Sequence, residues 1–231
     1  MRLAVIPARG GSKRIPRKNI RLFAGRPIIE YTIEAAIESN VFDQIIVSTD
    51  DEEIASVAES AGATVPFRRP AEMCTDTAGS NLLMHHAIDW CGEHLTDVCR
   101  ACMLPPTAPF LTHSHISDGL QLLEDENAQM TFSVTTFPSP IQRAFEIRDD
   151  GTAGLVWPEF EAKRSQELPE RYFDASMFYW GLPVAFKHPT RLFPERVVPY
   201  PVPRHLVHDI DTEEDWVRAE LVFRALNPKC R

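Results

Sequence analysis

A short apolar run at Leu3–Ile6 leads directly into a loop that carries two adjacent glycines and a dense group of cations. An uninterrupted apolar run of this length is typical of a strand buried in a parallel sheet. Gly10 and Gly11 allow the backbone to pass close to a ligand. The cations of the loop are Arg9, Lys13, Arg14, Arg17 and Lys18. A glycine turn lined with cations at the end of a first strand indicates a binding site for a polyphosphate.

The basic loop is a local exception in an acidic chain. The 24 Lys and Arg stand against 33 Asp and Glu, and the formal net charge of −9 disfavours nonspecific binding to nucleic acid. A length of 231 residues with 44% hydrophobic and 25% charged residues is ordinary for one large soluble domain. No apolar run approaches the roughly 20 residues that span a bilayer, and no apolar signal segment precedes the first strand. We therefore expect a cytoplasmic protein with no membrane partner.

The cysteines allow two interpretations. Cys99 and Cys102 have the CxxC spacing of a zinc half-site or a redox pair, but they also lie within an apolar strand predicted over Val98–Leu104. The chain contains no second CxxC and no HxxxH, which favours the strand. The odd set of five cysteines suits a reducing cytoplasm.

Predicted strands and helices alternate through the first part of the chain. The predicted strands are Leu3–Ile6, Gln44–Ser48, Thr64–Phe67, Val98–Leu104 and Met130–Thr136. The predicted helices are Pro27–Ser39, Asp50–Ala61, Ser80–Glu93 and Thr112–Glu124. This order predicts an α/β fold, with a mostly parallel, Rossmann-like sheet and helices on both faces. Ligands of such sheets bind outside the carboxyl ends of the strands, so the loops that follow the strands should gather at one edge.

Prolines and short strands dominate the segment Pro138–Pro203. The short strands are predicted at Ala144–Arg148, Gly154–Trp157, Met177–Trp180 and Val197–Pro199. We interpret this segment as a small antiparallel insertion, over about residues 138–180, within a single domain that spans 1–231. A terminal amphipathic helix is predicted to end near Leu226.

The basic loop matches neither common phosphate-binding motif. It lacks the GxxxxGK[ST] pattern of a P-loop and the GxGxxG fingerprint of dinucleotide-binding folds. Free backbone N–H groups near glycines nevertheless form a nest for anions. The alternative, a solvated basic turn, is disfavoured because the cations cluster at a strand end in an acidic chain.

Asp209 and Asp211 form a second candidate site near the C-terminus. Side chains two residues apart lie on the same side of an extended backbone. Two such carboxylates can share one Mg²⁺, which takes one or two protein carboxylates together with substrate phosphates. A helix start at Asp211 or Thr212 is the alternative interpretation, and both can hold at once.

A polar stretch ending in Gln142 and Arg143, together with Lys163–Gln166, is a third candidate. These side chains could hold a sugar hydroxyl or a carboxylate, because Arg binds carboxylates through a two-pronged contact. They are equally typical of a protein surface. His85 and His86 lie in a predicted helix, and we expect no special function for them.

Several segments resemble one family across nearly the whole chain. They are IPARGGSKRIPRKNI, FDQIIVSTDDEEIA, RPAEMCTDTAGS, LPPTAPFL and HDIDTEEDW. The chain resembles the cytidylyltransferases that make CMP-activated nonulosonic acids, and FSVTTFPSPIQRA and KRSQELPE are most similar to the pseudaminic acid branch. The resemblance implies that the anomeric hydroxyl of a nine-carbon 2-keto sugar acid attacks the α-phosphate of CTP and that pyrophosphate leaves. It also implies Mg²⁺ as the cofactor, a homodimer held partly by the insertion, and a place in the synthesis of cell-surface glycans such as those on flagellin.

The resemblance also implies roles for particular residues. Arg9, Lys13, Lys18 and Asp211 would be catalytic, and Asp209 with Asp211 would bind Mg²⁺. The nucleotide would contact Ala8, Arg9, Gly10, Gly11, Ser12, Lys13, Lys18, Asn19, Arg69 and Ser80. The acceptor would contact Gln142, Arg143, Arg164 and Asp174. In such transfers catalysis is mostly alignment and neutralisation of charge.

Two departures concern the acceptor. Pro105 stands where sialic acid synthetases have a glutamine, and Asp174 stands where they have an arginine. These changes favour a differently substituted relative of N-acetylneuraminic acid, with CMP-legionaminic or CMP-N-acetylneuraminic acid synthetase as alternatives. A metal-dependent glycosyltransferase and a non-catalytic nucleotide-binding domain are the alternatives of other classes.

Overall fold

A six-stranded sheet lies at the centre of the structure, a computed structural model that describes residues 1–75, 79–188 and 191–228. Part of the RPAEMCTDTAGS segment, residues 76–78, and Cys230 lie outside the described residues. The strands are β1 (Arg2–Pro7), β2 (Leu22–Phe23), β3 (Arg26–Pro27), β4 (Gln44–Ser48), β5 (Arg100–Met103), β6 (Met130–Thr136), β7 (Phe145–Ile147), β8 (Ala153–Leu155), β9 (Tyr172–Gly181) and β10 (Val197–Pro201). The helices are α1 (Ile28–Glu38), α2 (Glu52–Ser60), α3 (Ser80–His94), α4 (His113–Asp125) and α5 (Glu213–Leu226).

The central sheet has the strand order β10-β6-β9-β5-β1-β4. All of its strands are parallel except β9, which pairs antiparallel with both β5 and β6. The carboxyl ends of β1, β4, β5 and β6 therefore meet at one edge, as expected. The predicted α/β class and mostly parallel sheet are confirmed.

Residues of β1 alternate between two buried layers. Ala4 and Ile6 belong to the apolar cluster that contains residues of α1, α4 and α5, whereas Leu3 and Val5 belong to the cluster that contains residues of α3. All four side chains have no exposed area. Helices therefore cover both faces, and this explains why the strand is apolar at each position from Leu3 to Ile6.

Side-chain caps set the beginnings of the helices that flank the site. Asp51 accepts hydrogen bonds from the first amides of α2, Thr112 caps α4, and Thr212 caps α5. Such caps satisfy the N–H groups that a helix start leaves unpaired. Thr212 is the cap of the last helix, and Asp211 remains available to the site.

The segment predicted as a strand over Thr64–Phe67 is not a strand. It makes only isolated bridges, from Thr64 to Ile46 and from Arg68 to Thr49. Pro66 has no N–H to donate, and this disfavours a regular ladder at that position.

Strand β9 departs most from the expected arrangement. It lies between β5 and β6 in the main sheet and is 10 residues long, although only Met177–Trp180 was predicted, as part of the insertion. A bulge interrupts its pairing with β6 between Asp174 and Tyr179, where the Ser133 hydroxyl accepts hydrogen bonds from the N–H groups of Met177 (3.0 Å) and Phe178 (3.4 Å). Ser176 has a φ of 52° in this bulge.

The segment that leaves the sheet is therefore shorter than the predicted insertion over about 138–180. We call residues 138–170 the arm, and its regular element is the antiparallel hairpin β7–β8. Strand β10, which the sequence also placed in the proline-rich segment, is an edge strand parallel to β6. Pairing between distant segments decided both assignments, and local composition does not encode it.

Within the part of the chain that the structure describes, no helix is both long and apolar enough to cross a bilayer.

Candidate functional site

A cavity of about 510 Å³ opens at the carboxyl edge of the sheet, next to the end of β1. We call it the cationic cavity, and its lining residues are Pro7, Arg9, Ser12, Lys13, Arg14, Lys18, Asn19, Pro106, Thr107 and Asp211. Most of its charged groups come from the N-terminal loop. The cavity therefore has the charge and the position that the sequence predicted for a polyphosphate site.

The backbone of the loop is held from both sides. The N–H of Ala8 donates to the Ser48 carbonyl (2.9 Å), and the N–H of Gly10 donates to Asp50 Oδ1 (2.9 Å). The Asn19 amide, which is buried, donates to the Arg9 carbonyl (2.9 Å). A Cβ added at Gly11 would meet no atom within 4 Å, so the backbone at this glycine stays accessible to a ligand.

Asp211 brings the C-terminal segment into the same cavity. Its Oδ1 lies 2.7 Å from an Arg14 guanidinium nitrogen and 3.5 Å from Lys18 Nζ. Lys18 Nζ also donates to the Ile210 carbonyl at 2.6 Å, although the two residues are 192 positions apart in the chain. The cationic loop and the acidic pair thus converge, as they must if both bind one triphosphate.

A second cavity of about 320 Å³ lies on the side of Asp209. We call it the Asp209 cavity, and its lining residues are Thr135, Thr136, Pro138, Phe173, Asp174, Arg204, Val207, His208, Asp209, Asp215 and Arg218. Ile210, between the two aspartates, is buried in the core. The segment Asp209–Asp211 therefore separates the two cavities and contributes a carboxylate to each.

Asp174 is held in a fixed orientation beside this second cavity. Its Oδ2 accepts a hydrogen bond from the Tyr179 hydroxyl (2.7 Å), and its Oδ1 accepts one from the N–H of Ser176 (2.8 Å). Burial raises the pKa of Asp174, and these two hydrogen bonds oppose that rise. The bulge in β9 thus presents a partly buried acceptor to whatever occupies the cavity.

Asp209 and Asp211 would need oxygens from a bound substrate to complete the coordination of a hard cation. Partial desolvation, and then the charge of Asp211, raise the pKa of Asp209, whereas Lys18 and Arg14 lower it. The described residues contain no group of three or more metal-binding side chains. The predicted Mg²⁺ site would therefore need phosphate oxygens to complete the metal's shell, which is the usual arrangement for this ion, and it remains a prediction.

Arg69 lies beneath the loop, only 5% exposed. Its guanidinium donates to the Ser48 carbonyl and, at 3.2 Å, to the Ser48 hydroxyl. Burial lowers the pKa of Arg69, and the charge of Arg9 adds to this effect. Ser80 begins α3 and, like Arg69, does not line the cationic cavity.

The arm carries the other residues predicted to contact an acceptor. The buried Gln142 amide donates to the Pro169 carbonyl (2.9 Å), and Arg143 donates to the Lys163 carbonyl. The N–H of Arg164 donates to Glu167 Oε2 (3.2 Å). None of these three residues lines either cavity, so their predicted role remains a prediction.

Two residues that line the Asp209 cavity, and one that supports its lining, were not foreseen. Tyr179 fixes Asp174, and Arg204 and Arg218 add positive charge to the cavity. No local pattern marks the two arginines, because they reach the cavity from a turn and from α5. The segment LPPTAPFL, in contrast, was recognised as a motif, and its Pro106 and Thr107 line the cationic cavity.

The other sequence features are structural. Cys102 is buried in β5, while Cys99 is exposed and its thiol donates to the Met1 carbonyl (3.2 Å). Both are free thiols, and of the two only Cys102 lies in the strand, since β5 begins at Arg100. His85 and His86 lie in α3, where His85 contacts Asp89 at 2.8 Å and His86 packs against Phe67.

A larger cavity, about 670 Å³, lies between α1, α4 and the end of α5. Its one lining arginine among the described residues, Arg26, pairs with Glu34, and Glu38 adds a negative charge, so this cavity offers an anion no comparable group of cations. Size alone therefore does not locate the site, and the convergence of charge at the sheet edge does.

Comparison with known proteins relates the chain to one family of enzymes. The model of the cytidylyltransferase family matches residues 3–147, which include the basic loop and the strands β1 to β6. A pseudaminic acid cytidylyltransferase from Campylobacter jejuni is 37% identical over 222 residues, which are 96% of each chain. An N-acylneuraminate cytidylyltransferase from Escherichia coli is 31% identical over 97% of this chain and 52% of its own length.

A solved structure shares the fold. The structure of CMP:2-keto-3-deoxy-manno-octonic acid synthetase complexed with CTP superposes with a TM-score of 0.67 at 16% identity, over 97% of this chain and 99% of that one. At that identity the likeness concerns the fold alone.

Proposed function

The chain belongs to the cytidylyltransferase family, and on that premise we propose that it transfers CMP from CTP to the anomeric hydroxyl of a nonulosonic acid, with pseudaminic acid as the acceptor. The observation that carries this proposal is the convergence of Arg9, Lys13, Lys18 and Asp211 on one cavity at the carboxyl edge of the sheet. The relative at 37% identity over almost its whole length supports the choice of acceptor.

In this proposal the cationic cavity holds the triphosphate of CTP. Arg9, Lys13 and Lys18 neutralise the charge that accumulates on the departing pyrophosphate, and the open backbone at Gly11 donates to phosphate oxygens. Asn19, Arg69 and Ser80 retain the predicted role of holding cytidine. Fixed cations are effective here because they need no reorganisation when the bond breaks.

The acceptor would occupy the Asp209 cavity. There its hydroxyl would approach the α-phosphate across the segment Asp209–Asp211. Asp174, with an oxygen fixed by Tyr179, would accept a hydrogen bond from an N–H or O–H group of the sugar. An aspartate in place of the arginine of sialic acid synthetases supports an acceptor that carries different substituents.

Mg²⁺ is the proposed cofactor, held by Asp209 and Asp211 together with phosphate oxygens. When bound, it would neutralise phosphate charge and polarise the attacking hydroxyl. Arg14 and Lys18, which contact Asp211 in this structure, would then be released toward the phosphates.

A homodimer is the proposed functional unit. The arm exposes apolar side chains that a partner could cover, with Phe145 64% and Ile147 83% exposed. A partner's arm near the Asp209 cavity would also give Gln142, Arg143 and Arg164 the predicted access to an acceptor. The four cysteines that the structure describes are free thiols, which supports a cytoplasmic location.

The direct test incubates the protein with CTP, Mg²⁺ and a panel of pseudaminic, legionaminic and N-acetylneuraminic acid. We expect pyrophosphate release and the mass of the CMP-sugar with pseudaminic acid, and loss of both after chelation until Mg²⁺ is restored. Turnover with another acid alone would overturn the acceptor, and unchanged turnover after complete removal of metal would overturn the cofactor. CTP binding without pyrophosphate release on any acid would overturn the reaction.

A further inference from the structure

Arg17 differs from the other cations of the N-terminal loop. It does not line the cationic cavity, whereas Arg9, Lys13, Arg14 and Lys18 do. Its guanidinium instead makes a two-pronged contact with Asp51, at 2.5 Å from Oδ2 and 2.9 Å from Oδ1. The same guanidinium lies 2.5 Å from Glu53. A planar guanidinium held in this way is oriented as well as neutralised.

Asp51 is the common partner of three parts of the fold. Besides Arg17, its Oδ1 accepts hydrogen bonds from the N–H groups of Glu53 and Ile54, each at 3.0 Å, and so caps α2. It also packs against the glycine turn, since a Cβ on Gly10 would lie 2.6 Å from Asp51 Oδ2. Asp50, the preceding residue, holds the Gly10 N–H. The start of α2 therefore contacts both ends of the loop, at Gly10 and at Arg17.

The loop between these two contacts carries the triphosphate-facing residues. Ser12, Lys13 and Arg14 lie between Gly10 and Arg17, and all three line the cationic cavity. Ile15, which is fully buried, is the loop's anchor in the apolar core. Arg17 itself has a φ of 56°, a left-handed backbone that local preference alone disfavours. Its contact with Asp51 helps to keep the backbone in that shape.

We propose that Asp51 and Arg17 are positioning residues for the nucleotide, a pair that fixes the loop over Gly10–Arg17 so that its cations and amides face the triphosphate. The inference rests on the proposed function in naming CTP as the ligand. The Arg17 guanidinium lowers the pKa of Asp51 to about 2, so the carboxylate stays charged at neutral pH.

Charge alone and positioning predict opposite effects for one substitution. Asp51→Ser removes a negative charge close to the cationic cavity, and this by itself would strengthen CTP binding. Serine is also a good helix cap, so α2 keeps its start. Its shorter side chain loses the two-pronged contact with Arg17. If the pair positions the loop, Asp51→Ser must weaken CTP binding in spite of the favourable change in charge.

The experiment measures the dissociation constant of CTP without any acceptor, for the wild type, Asp51→Ser, Arg17→Ala and the double variant. We expect the dissociation constant of CTP to be about tenfold higher for each single variant than for the wild type. We expect the double variant to be no weaker than the singles, because both remove the same contact. Arg17→Lys should recover part of the loss.

Arg21→Ala is the matched control. Arg21 lies in the same segment, is similarly exposed, and pairs with Glu213 at the first residue of α5 at 2.6 Å. The Arg21→Ala variant should leave CTP binding unchanged, although it too removes an arginine that pairs with an acidic residue at a helix start. Trypsin should cut after Lys13 or Arg14 faster in Asp51→Ser than in the wild type, while the melting temperatures remain close.

Unchanged or tighter CTP binding by Asp51→Ser would overturn the proposal, as would an equal loss in Arg21→Ala. These measurements are independent of the acceptor. A wild-type protein that binds CTP but releases no pyrophosphate with any sugar acid would refute the proposed function, and the ratio of CTP dissociation constants would still decide the role of Asp51. A wild-type protein that does not bind CTP would overturn both.

Discussion

Asp211 connects the two ends of the chain at the level of single side chains. It contacts Arg14 and Lys18 of the N-terminal loop, while the neighbouring Thr212 supplies the cap of α5. Asp211 therefore belongs to the site, whereas the neighbouring Thr212 has the structural role of starting the helix. This separation allows Asp211 to be changed without removing the cap.

Asp211→Asn should lower kcat at least about 100-fold and raise the Mg²⁺ concentration needed for activity. Changing a residue that only supports a metal ligand already weakens metal binding, so changing a proposed ligand should have at least as large an effect. CTP binding without metal should be kept, since the substitution removes a negative charge from a cation-lined cavity. Steady-state kinetics at varied Mg²⁺ and the melting temperature measure both effects. Glu214→Gln, on the exposed side of α5, is the control, and near-normal turnover by Asp211→Asn would refute the metal assignment.

Tyr179→Phe should raise the KM for the sugar acid about tenfold and leave the KM for CTP unchanged, because it removes one of the two donors that hold the partly buried carboxylate of Asp174. Burial already raises the pKa of Asp174, and loss of this hydrogen bond raises it further. In Tyr179→Phe the Asp174 carboxyl should therefore stay protonated, and accept hydrogen bonds less well, up to a higher pH. The KM of this variant for the sugar acid should fall as the pH rises.

Tyr31→Phe is the matched control for that measurement. The Tyr31 hydroxyl donates to the Phe23 carbonyl at 2.8 Å, away from both cavities' lining residues. It should change neither KM. An equal rise in both KM values for Tyr179→Phe would indicate a general loss of structure instead of a role at the acceptor.

At the scale of secondary-structure elements, the helices were more predictable than the strands. Thr112 and Leu226 were predicted as helix boundaries from local signals, and the structure agrees. A cap depends on side chains within a few residues, so the sequence contains the information. Strand β9 depends instead on pairing with β5 and β6, and its bulge depends on the Ser133 hydroxyl.

The packing of α4 against β9 should make a glycine-to-alanine substitution in the helix destabilising, although such a substitution usually stabilises a helix. An alanine in place of a helical glycine normally stabilises a helix by roughly 1 kcal/mol. A Cβ at Gly119 in α4, however, would lie 2.5 Å from a ring carbon of Phe178 in β9. Gly119→Ala should therefore lower the free energy of unfolding by about 1–3 kcal/mol, the usual cost of overpacking.

Gly92→Ala in α3 provides the contrast, since its Cβ would meet its nearest atom only at 3.9 Å. That variant should gain about 0.5–1 kcal/mol in the free energy of unfolding. Urea denaturation of the two variants measures the difference. A gain in stability for Gly119→Ala would contradict the close packing of α4 on β9.

At the scale of the whole molecule, the arm stands out because most of its residues are exposed. Its hairpin exposes Phe145 and Ile147, and Val156 and Trp157 follow it with exposures of 42% and 37%. The arm's polar residues bond mainly within the arm, as Gln142 does with Pro169 and Arg143 with Lys163. Its position outside the sheet is consistent with a surface that another protomer covers.

Ile147→Asp should convert the proposed dimer to a monomer while changing the monomer's melting temperature little, because the side chain is 83% exposed in the single chain. Light scattering coupled to size exclusion measures the mass. Val184→Asp, at a position 58% exposed outside the arm, should leave the mass unchanged. A wild-type chain that is monomeric at all concentrations would refute the dimer.

The residues of the chain alone were enough to predict the class of fold, the helix boundaries and the two charged segments that line the cavities. These features follow from local patterns, namely apolar runs, helix caps, and cations beside glycines. Only the tertiary structure decided that β9 lies inside the main sheet, that Arg17 contacts Asp51 instead of the cavity, and that Arg143 and Arg164 lie in the arm away from both cavities. The reason is physical: side chains far apart in the chain compete for the same partners, and the packing of the whole molecule selects which contacts form.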